Sequence, residues 1–142
     1  MTINSKRIPR GIRNNNPLNL RVGNNWIGEV GVSTDLTFEQ FTEMKWGVRA
    51  AFIVLRNYIV RHKCDTIEKI ISRWAPSNEN DTELYIKHVS YLSWIGADEP
   101  IAWEEGKIKR LFNAMCFVEN GQQISPSVVD EGWLLAENTI MH

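Results

Sequence analysis

Residues 44–61 read MKWGVRAAFIVLRNYIVR, and the apolar side chains in this stretch repeat with a helical period. Apolar residues occupy positions i, i+3, i+4, i+7 and i+11 of the repeat, which are Val48, Ala51, Phe52, Leu55 and Ile59. This spacing places all of them on one face of an α-helix. The stretch therefore predicts the central helix of the core.

Four further helices are predicted on the C-terminal side of this stretch. Each has apolar residues at helical spacing and a capping residue, a proline or a glycine near one end. Asp65 resembles the start of a capping box, because a glutamate lies three positions later. These helices cover residues 66–74, begin at Asn80 or Asp81, carry the apolar stripe 108–115, and begin at Ser125-Pro126.

Residues 10–41 read RGIRNNNPLNLRVGNNWIGEVGVSTDLTFEQF and are rich in asparagine and glycine, which mark tight turns. Three short pieces between the turns have strand character, and Gly23-Asn24-Asn25 is typical of a hairpin turn between the first two. These pieces are residues 18–22, 26–30 and 36–41. The sequence thus predicts an α+β fold, mostly helical, with a small antiparallel β-sheet near the N-terminus.

The chain has 142 residues, which is the common size of a single domain. We predict a flexible arm over residues 1–10 and one domain over residues 11–142. The N-terminus lacks the apolar stretch of a signal peptide, and no apolar run approaches the roughly 18 residues of a membrane span. We therefore expect synthesis in the cytoplasm and no membrane span.

The asparagine-rich stretch carries groups that suit sugar recognition. Amides and guanidinium groups hydrogen-bond to hydroxyl and acetamido groups, and an indole face packs on the apolar side of a sugar ring. The alternative is that the asparagines bond their own backbone in turns. On the first interpretation the substrate-binding residues here are Arg13, Asn15, Asn16, Asn19 and Trp26.

A second polar stretch, residues 74–85, has an aromatic residue at each end and is predicted to face the first as one wall of a groove. Trp74, Asn80 and Tyr85 are its candidate substrate-binding residues. The alternative interpretation is helix capping by residues 80–82, with both aromatic side chains in the core.

Several of these motifs, in a fixed order, resemble a family of small phage and prophage proteins that are usually described as virion or structural proteins. The resemblance spans roughly residues 10–90, and Leu18 stands where such sequences often have glycine. Its motifs are RGIRNNNP at 10–17, Asn19-Leu20, Trp26-x-Gly28, Asp35-x-x-Phe38-x-x-Phe41, GVRA at 47–50 and WAPxxENDTxxY at 74–85.

The same order of motifs is similar, more distantly, to the bacterial cell-wall glucosaminidases of the lysozyme-like superfamily. This similarity implies a lysozyme-like fold and a glycan-strand substrate. In those enzymes the catalytic glutamate ends a helix that precedes the Asn-Leu segment. Only about ten residues precede Gly11 here and none is acidic, so that glutamate has no counterpart.

Glycoside hydrolysis ordinarily needs a carboxylic acid to protonate the leaving oxygen and a second carboxylate, whereas a transglycosylase needs one acid. The candidate catalytic residues are Glu29, Asp35 and Glu79, because they lie beside the predicted groove. Glu39 alternates with two phenylalanines and is predicted to face solvent on a strand. No cofactor is expected, because no triad, metal-ligand or phosphate-loop motif is present.

The predicted function is that of a phage-type peptidoglycan hydrolase or lytic transglycosylase that cleaves glycan strands. Non-catalytic wall binding and a structural role in the virion are the alternatives. The expected partners are peptidoglycan strands, and virion proteins under the last alternative. Five basic and no acidic residues occur in residues 1–28, but no DNA-binding motif accompanies them, so nucleic acid is not an expected partner. The expected place of action is the cell wall or the virion.

Overall fold

The structure is a computed structural model, and it describes residues 8–77 and 81–140. Within those residues the chain forms six α-helices, and a π-helical turn over Asn57–Arg61 continues the second. The helices are α1 (Arg10–Arg13), α2 (Met44–Arg56), α3 (Ile67–Trp74), α4 (Thr82–Ser93), α5 (Glu105–Asn120) and α6 (Pro126–Ile140). The predicted flexible arm falls largely on residues 1–7, which lie outside the described residues.

The predicted central helix is confirmed as α2 together with the π-helical turn. Its apolar face is buried as the spacing predicts, with Val48, Phe52 and Leu55 completely inaccessible and Ile59 nearly so. Each fully buried large apolar side chain stabilises a fold by roughly 1.5–3 kcal/mol. This one face therefore makes a large contribution to the stability of the protein.

The four further helices are confirmed as α3 to α6, with one change in the capping. Thr66 caps α3 with its hydroxyl oxygen, so the capping box predicted from Asp65 is wrong. Asp81 caps α4 by accepting a hydrogen bond from the backbone N–H of Leu84 at 3.1 Å. The other predicted cap, Asn80, lies outside the described residues.

Helix α4 ends in an unusual way, because Trp94 follows it with a left-handed backbone at φ 62°. Glycine adopts this conformation most readily, and the conformation costs a residue with a side chain roughly 1–2 kcal/mol. The Trp94 side chain is exposed, whereas Trp133 is buried and lies edge-on to Phe52 at 5.0 Å between ring centroids.

The predicted antiparallel β-sheet is wrong. Among the described residues the chain makes two isolated antiparallel bridges, Arg21 with Phe38 and Glu29 with Phe41, and no ladder of strands. The hairpin predicted at Gly23-Asn24-Asn25 is also wrong, because the pieces on either side of it bond to a third segment. The fold is helical, which corrects both the α+β class and the lysozyme-like fold with a sheet.

Side chains take many of the backbone groups that a sheet would have paired. The Asn16 amide bonds to the backbone of Leu20 and Glu39, and the Asp35 carboxylate accepts from the backbone N–H of Phe38. Such local bonds compete with the regular ladder of a sheet. The segment is therefore ordered by its polar side chains together with a few backbone hydrogen bonds between its extended pieces.

The chain divides into two compact units, and the single domain over residues 11–142 stays a prediction. The first unit is Met1–Ile53 together with Glu119–His142, and the second is Val54–Val118. In the first unit, the Val48 side chain lies so close to Gly132 that a Cβ there would be 2.3 Å from it. None of the described helices is both long and apolar enough to cross a membrane.

Candidate functional site

A buried asparagine fixes the segment that carries Glu39. Asn16 is completely inaccessible, and its Nδ2 donates to the carbonyl oxygens of Leu20 at 2.9 Å and Glu39 at 3.0 Å. Its Oδ1 accepts from the backbone N–H of Leu20 at 2.9 Å. Because this amide is buried and engaged, Asn16 does not have the accessible side chain that its predicted sugar contact requires.

Two further asparagines adopt left-handed backbone conformations, which this residue type tolerates better than most. Asn15 and Asn19 both have φ 52°. Asn15 Nδ2 donates to the carbonyl of Phe41 at 3.0 Å, and Asn19 Nδ2 donates to Glu119 at 2.7 Å. These bonds match the turn architecture that was the alternative interpretation, while sugar contact by either residue stays a prediction.

Glu39 and Glu29 form a carboxyl pair in the first unit. The two side chains share a hydrogen bond, which requires a proton on one of them. Glu39 is only 7% exposed, and none of the described residues donates to its Oε2. Glu29 is half-buried, and its Oε1 accepts from the backbone N–H of Trp26 at 3.1 Å. Glu39 is therefore the more buried carboxyl of the pair.

The surroundings of Glu39 raise the pKa of its carboxyl from 4.5 to about 7. Burial is the largest cause, because it disfavours the charged form. The hydrogen bond with Glu29 and the negative charge of Glu29 act in the same direction. A carboxyl with a raised pKa beside a second carboxyl is a common arrangement for acid catalysis.

The prediction that Glu39 faces solvent is wrong. It assumed the two faces of a sheet, in which Glu39 would point away from its phenylalanine neighbours. Without a sheet, the alternation of residue types carries no information about burial. The one relevant signal in the sequence was Glu29, which the site prediction did include and which proves to be the partner of Glu39.

Asp35, another predicted acid, is held as an ion. Arg10 donates to both of its carboxylate oxygens, at 2.7 and 2.8 Å, and Asn14 donates at 3.0 Å. The hydrogen bond from Arg10 is the largest cause that lowers the pKa of Asp35 well below its usual 3.8, with the backbone N–H of Phe38 next. A carboxylate that holds no proton at neutral pH is poorly suited to donate one.

Replacement of Asp35 is expected to affect stability in a pH-dependent way. Asp35→Asn should lower the free energy of unfolding at pH 7 by roughly 1–3 kcal/mol, since it removes charge-assisted hydrogen bonds. The folded-state pKa is depressed, so the stabilisation is present above the unfolded value near 3.8 and is lost as pH falls below it. Urea unfolding at pH 7 and at pH 3 should show the difference between variant and wild type shrinking. An equal difference at both pH values would contradict this assignment.

A polar cavity of about 470 Å³ lies beside the Arg10–Asp35 ion pair. Gln40 crosses it, with its Nε2 donating to Asn14 Oδ1 at 3.0 Å and to Thr34 Oγ1 at 2.8 Å. The cavity volume falls within the roughly 300–1,000 Å³ that is usual for small-ligand sites. Its lining residues are Arg10, Arg13, Asn14, Thr34, Asp35, Leu36, Thr37 and Gln40.

Comparison with known proteins gives the chain a place among phage proteins. No model of a known protein family matches it. Protein P5 of Pseudoalteromonas phage PM2 is 40% identical over 126 residues, which cover 86% of this chain and 76% of that protein. The chain belongs to the family of this P5 protein. The predicted resemblance to phage proteins is confirmed at this level.

The aromatic residues predicted as sugar contacts in this member of the P5 family differ in their surroundings. Trp26 is half-buried, and none of the described residues accepts a hydrogen bond from its buried Nε1. Trp74 is half-buried and Tyr85 is buried in the second unit. Two other predicted site residues, Glu79 and Asn80, lie outside the described residues.

Two features of this P5-family chain stand out in the first unit. The first is the carboxyl pair of Glu39 and Glu29, and the second is the polar cavity with its exposed Arg13. The structure shows no cluster of three or more acidic, histidine or cysteine side chains over residues 8–77 and 81–140 that could hold a metal ion.

Proposed function

We propose that this P5-family protein cleaves the glycan strands of bacterial peptidoglycan, with the Glu39 carboxyl as the proton donor. The observation that carries the proposal is the carboxyl pair, in which Glu39 has a pKa of about 7. An acid with a pKa near the working pH is still protonated often enough to act and transfers its proton readily. Peptidoglycan is the substrate we infer because the family is a phage family and a phage must pass the bacterial wall.

In the proposed reaction, Glu39 donates its proton to the oxygen of the β-1,4 linkage as the bond from C1 to that oxygen breaks. C1 is then captured by water in a hydrolase, or by the C6 hydroxyl oxygen of the same sugar in a transglycosylase. The capturing oxygen loses one proton, which returns to Glu39. The negative charge of Glu29 favours the positive charge that develops near C1 in the transition state.

The closeness of the two carboxyls supports the transglycosylase version of this proposal. Retaining glycosidases separate their carboxyls by about 5–5.5 Å and inverting enzymes by about 6.5–9.5 Å. Glu29 raises the pKa of Glu39 through a hydrogen bond as well as through its charge, so the two carboxyls are neighbours and not two groups on opposite sides of a sugar ring. The pair thus acts as one acid with one exchangeable proton, which is sufficient when the sugar supplies its own nucleophile.

The polar cavity is the proposed site for sugar substituents. Thr34, Thr37 and Gln40 offer hydroxyl and amide groups that suit hydroxyl and acetamido groups of amino sugars. Arg13 is exposed at the cavity and can pair with carboxylates, which peptidoglycan carries on its peptide stems. This proposal keeps Arg13 as a substrate-binding residue and adds three residues to the predicted set.

Digestion of purified sacculi tests the proposal. We expect the full chain to release soluble muropeptides, and mass analysis should find 1,6-anhydro ends if the sugar supplies the nucleophile. Reducing ends without anhydro products would support a hydrolase in place of a transglycosylase. Co-sedimentation with sacculi without any release would leave wall binding, and the absence of both release and binding would favour a structural role in the virion.

A further inference from the structure

Two aromatic side chains project from the end of α4 in the second unit. Tyr91 is 83% exposed and Trp94 is 86% exposed, the latter directly after the helix. Large aromatic side chains usually bury most of their surface, and they are enriched where a protein recognises a partner. We call these two residues the aromatic platform. The carboxyl pair and the polar cavity belong to the first unit, so the platform is a separate feature.

The backbone beneath the platform is held firmly. The N–H of Trp94 donates to the carbonyl of Ser90 at 3.1 Å, and the Ser90 hydroxyl donates to the carbonyl of Ile95 at 2.6 Å. Ile95 is buried, which anchors the chain just after the platform. Trp94 therefore holds a left-handed backbone conformation that is unfavourable for a tryptophan. Its side chain gains little from burial within the chain. Strained residues of this kind concentrate at binding sites.

The platform borders two neighbouring cavities in the same unit. One, of about 520 Å³, is lined by Ser90, Tyr91, Leu92, Trp94, Ile95 and Gly96. The other, of about 310 Å³, shares two of these residues. Its lining residues are His88, Tyr91, Leu92, Phe117 and Val118. Tyr91 thus lines both cavities, an arrangement that suits a ligand made of repeated units.

We propose that the aromatic platform binds the sugar rings of a linear β-1,4-linked amino-sugar strand, as a second glycan site apart from the carboxyl pair. The choice of glycan rests on the proposed function. The physical basis is stacking, because the apolar face of a pyranose ring packs on an indole or phenol ring while its hydroxyls remain in water.

The charge of the surface favours a neutral glycan over a membrane. The larger cavity is lined entirely by uncharged residues, and a sugar ring needs no opposite charge. Helices that bind membranes combine an apolar face with several lysines or arginines. Lys87 is the one lysine or arginine within α4, which is too little basic charge for that role.

Calorimetric titration with the hexamer of N-acetylglucosamine tests the platform on the full chain. All proteins carry Glu39→Gln so that the probe stays intact. We expect Trp94→Gly and Tyr91→Ala each to weaken binding by at least about tenfold. Glycine readily adopts the left-handed backbone conformation of position 94, so Trp94→Gly should fold normally and keep or raise the melting temperature. Leu84→Ala, a half-exposed position on α4 outside both cavities, is the matched control and should bind like the parent.

The outcomes separate this inference from the proposed function. If Trp94→Gly binds the hexamer like the parent while wild-type protein digests sacculi, the platform is not a glycan site and the proposed function stands. If Trp94→Gly loses hexamer binding although wild-type protein releases nothing from sacculi, the second site stands and the cleavage proposal fails. Unchanged hexamer binding with lost sedimentation on phosphatidylglycerol vesicles, or with lost self-association, would overturn the inference and assign the platform to a membrane or a second copy.

Discussion

Glu39→Gln is expected to reduce the release of muropeptides from sacculi by at least about 100-fold, the usual contribution of a positioned general acid. Glutamine has nearly the same shape as a protonated glutamic acid, but its amide group is not acidic enough to transfer a proton. Initial rates of release from purified sacculi at pH 6 measure the effect. Glu43→Gln is the matched control, because Glu43 is an exposed glutamate four residues further along the same segment. A Glu39→Gln protein that retains wild-type activity would exclude Glu39 as the acid.

The stability of the same variant separates lost catalysis from lost folding. The folded-state pKa of Glu39 is raised, so its protonated form stabilises the protein below about pH 4.5, and this stabilisation is lost as pH rises through about 7. Glutamine stays neutral at every pH. Glu39→Gln should therefore be at least as stable as wild type at pH 8, while wild-type activity should fall as pH rises through about 7. Urea unfolding and rate measurements across pH 5–8 check both statements.

Gly47→Ala is expected to destabilise the protein by about 3 kcal/mol, because it places a methyl group in a closely packed position. A Cβ at Gly47 would lie 1.8 Å from the carbonyl oxygen of Asn15, a backbone atom that cannot move aside cheaply. Helix propensity alone predicts stabilisation, since alanine is more stable than glycine in a helix interior by about 1 kcal/mol. Urea unfolding at neutral pH measures the difference, and sign as well as size is informative.

The matched control for this substitution is Gly106→Ala in α5. The nearest atom to a Cβ at Gly106 is the side-chain oxygen of Glu104 at 3.1 Å, which belongs to an exposed side chain and not to the backbone. We expect this change to be neutral or stabilising by up to about 1 kcal/mol. Equal effects of the two substitutions would show that the contact of α2 with Asn15 is not closely packed.

Helices were predictable from this sequence because their signals are local. The apolar stripe of Val48, Phe52 and Leu55, and caps such as Asp81, depend on residues within one or two turns of each other. The sheet prediction failed because strand-like alternation does not reveal what the backbone bonds to. Asn16 reaches Glu39 across 23 positions, and no local pattern predicts that contact.

The candidate site shows the same limit. Glu29 and Asp35 were recognised as acids near turns, but their roles depend on partners distant in the chain. Asp35 accepts hydrogen bonds from Arg10, which lower the pKa of its carboxyl, whereas burial and the neighbouring Glu29 raise the pKa of Glu39. A pKa depends on three-dimensional surroundings, so sequence position alone does not tell an acid from an ion.

The frame around Glu39 is built from amides, and an amide neither gains nor loses a proton in the pH range where proteins remain folded. Asn15 donates to the backbone carbonyl of Phe41, and Asn16 donates to the backbone carbonyl of Glu39 itself. Loss and return of the Glu39 proton therefore leave the charge of these two amides unchanged. These two hydrogen bonds to the backbone persist whether or not the Glu39 carboxyl carries its proton, although the side chain itself lies beside the carboxyl of Glu29.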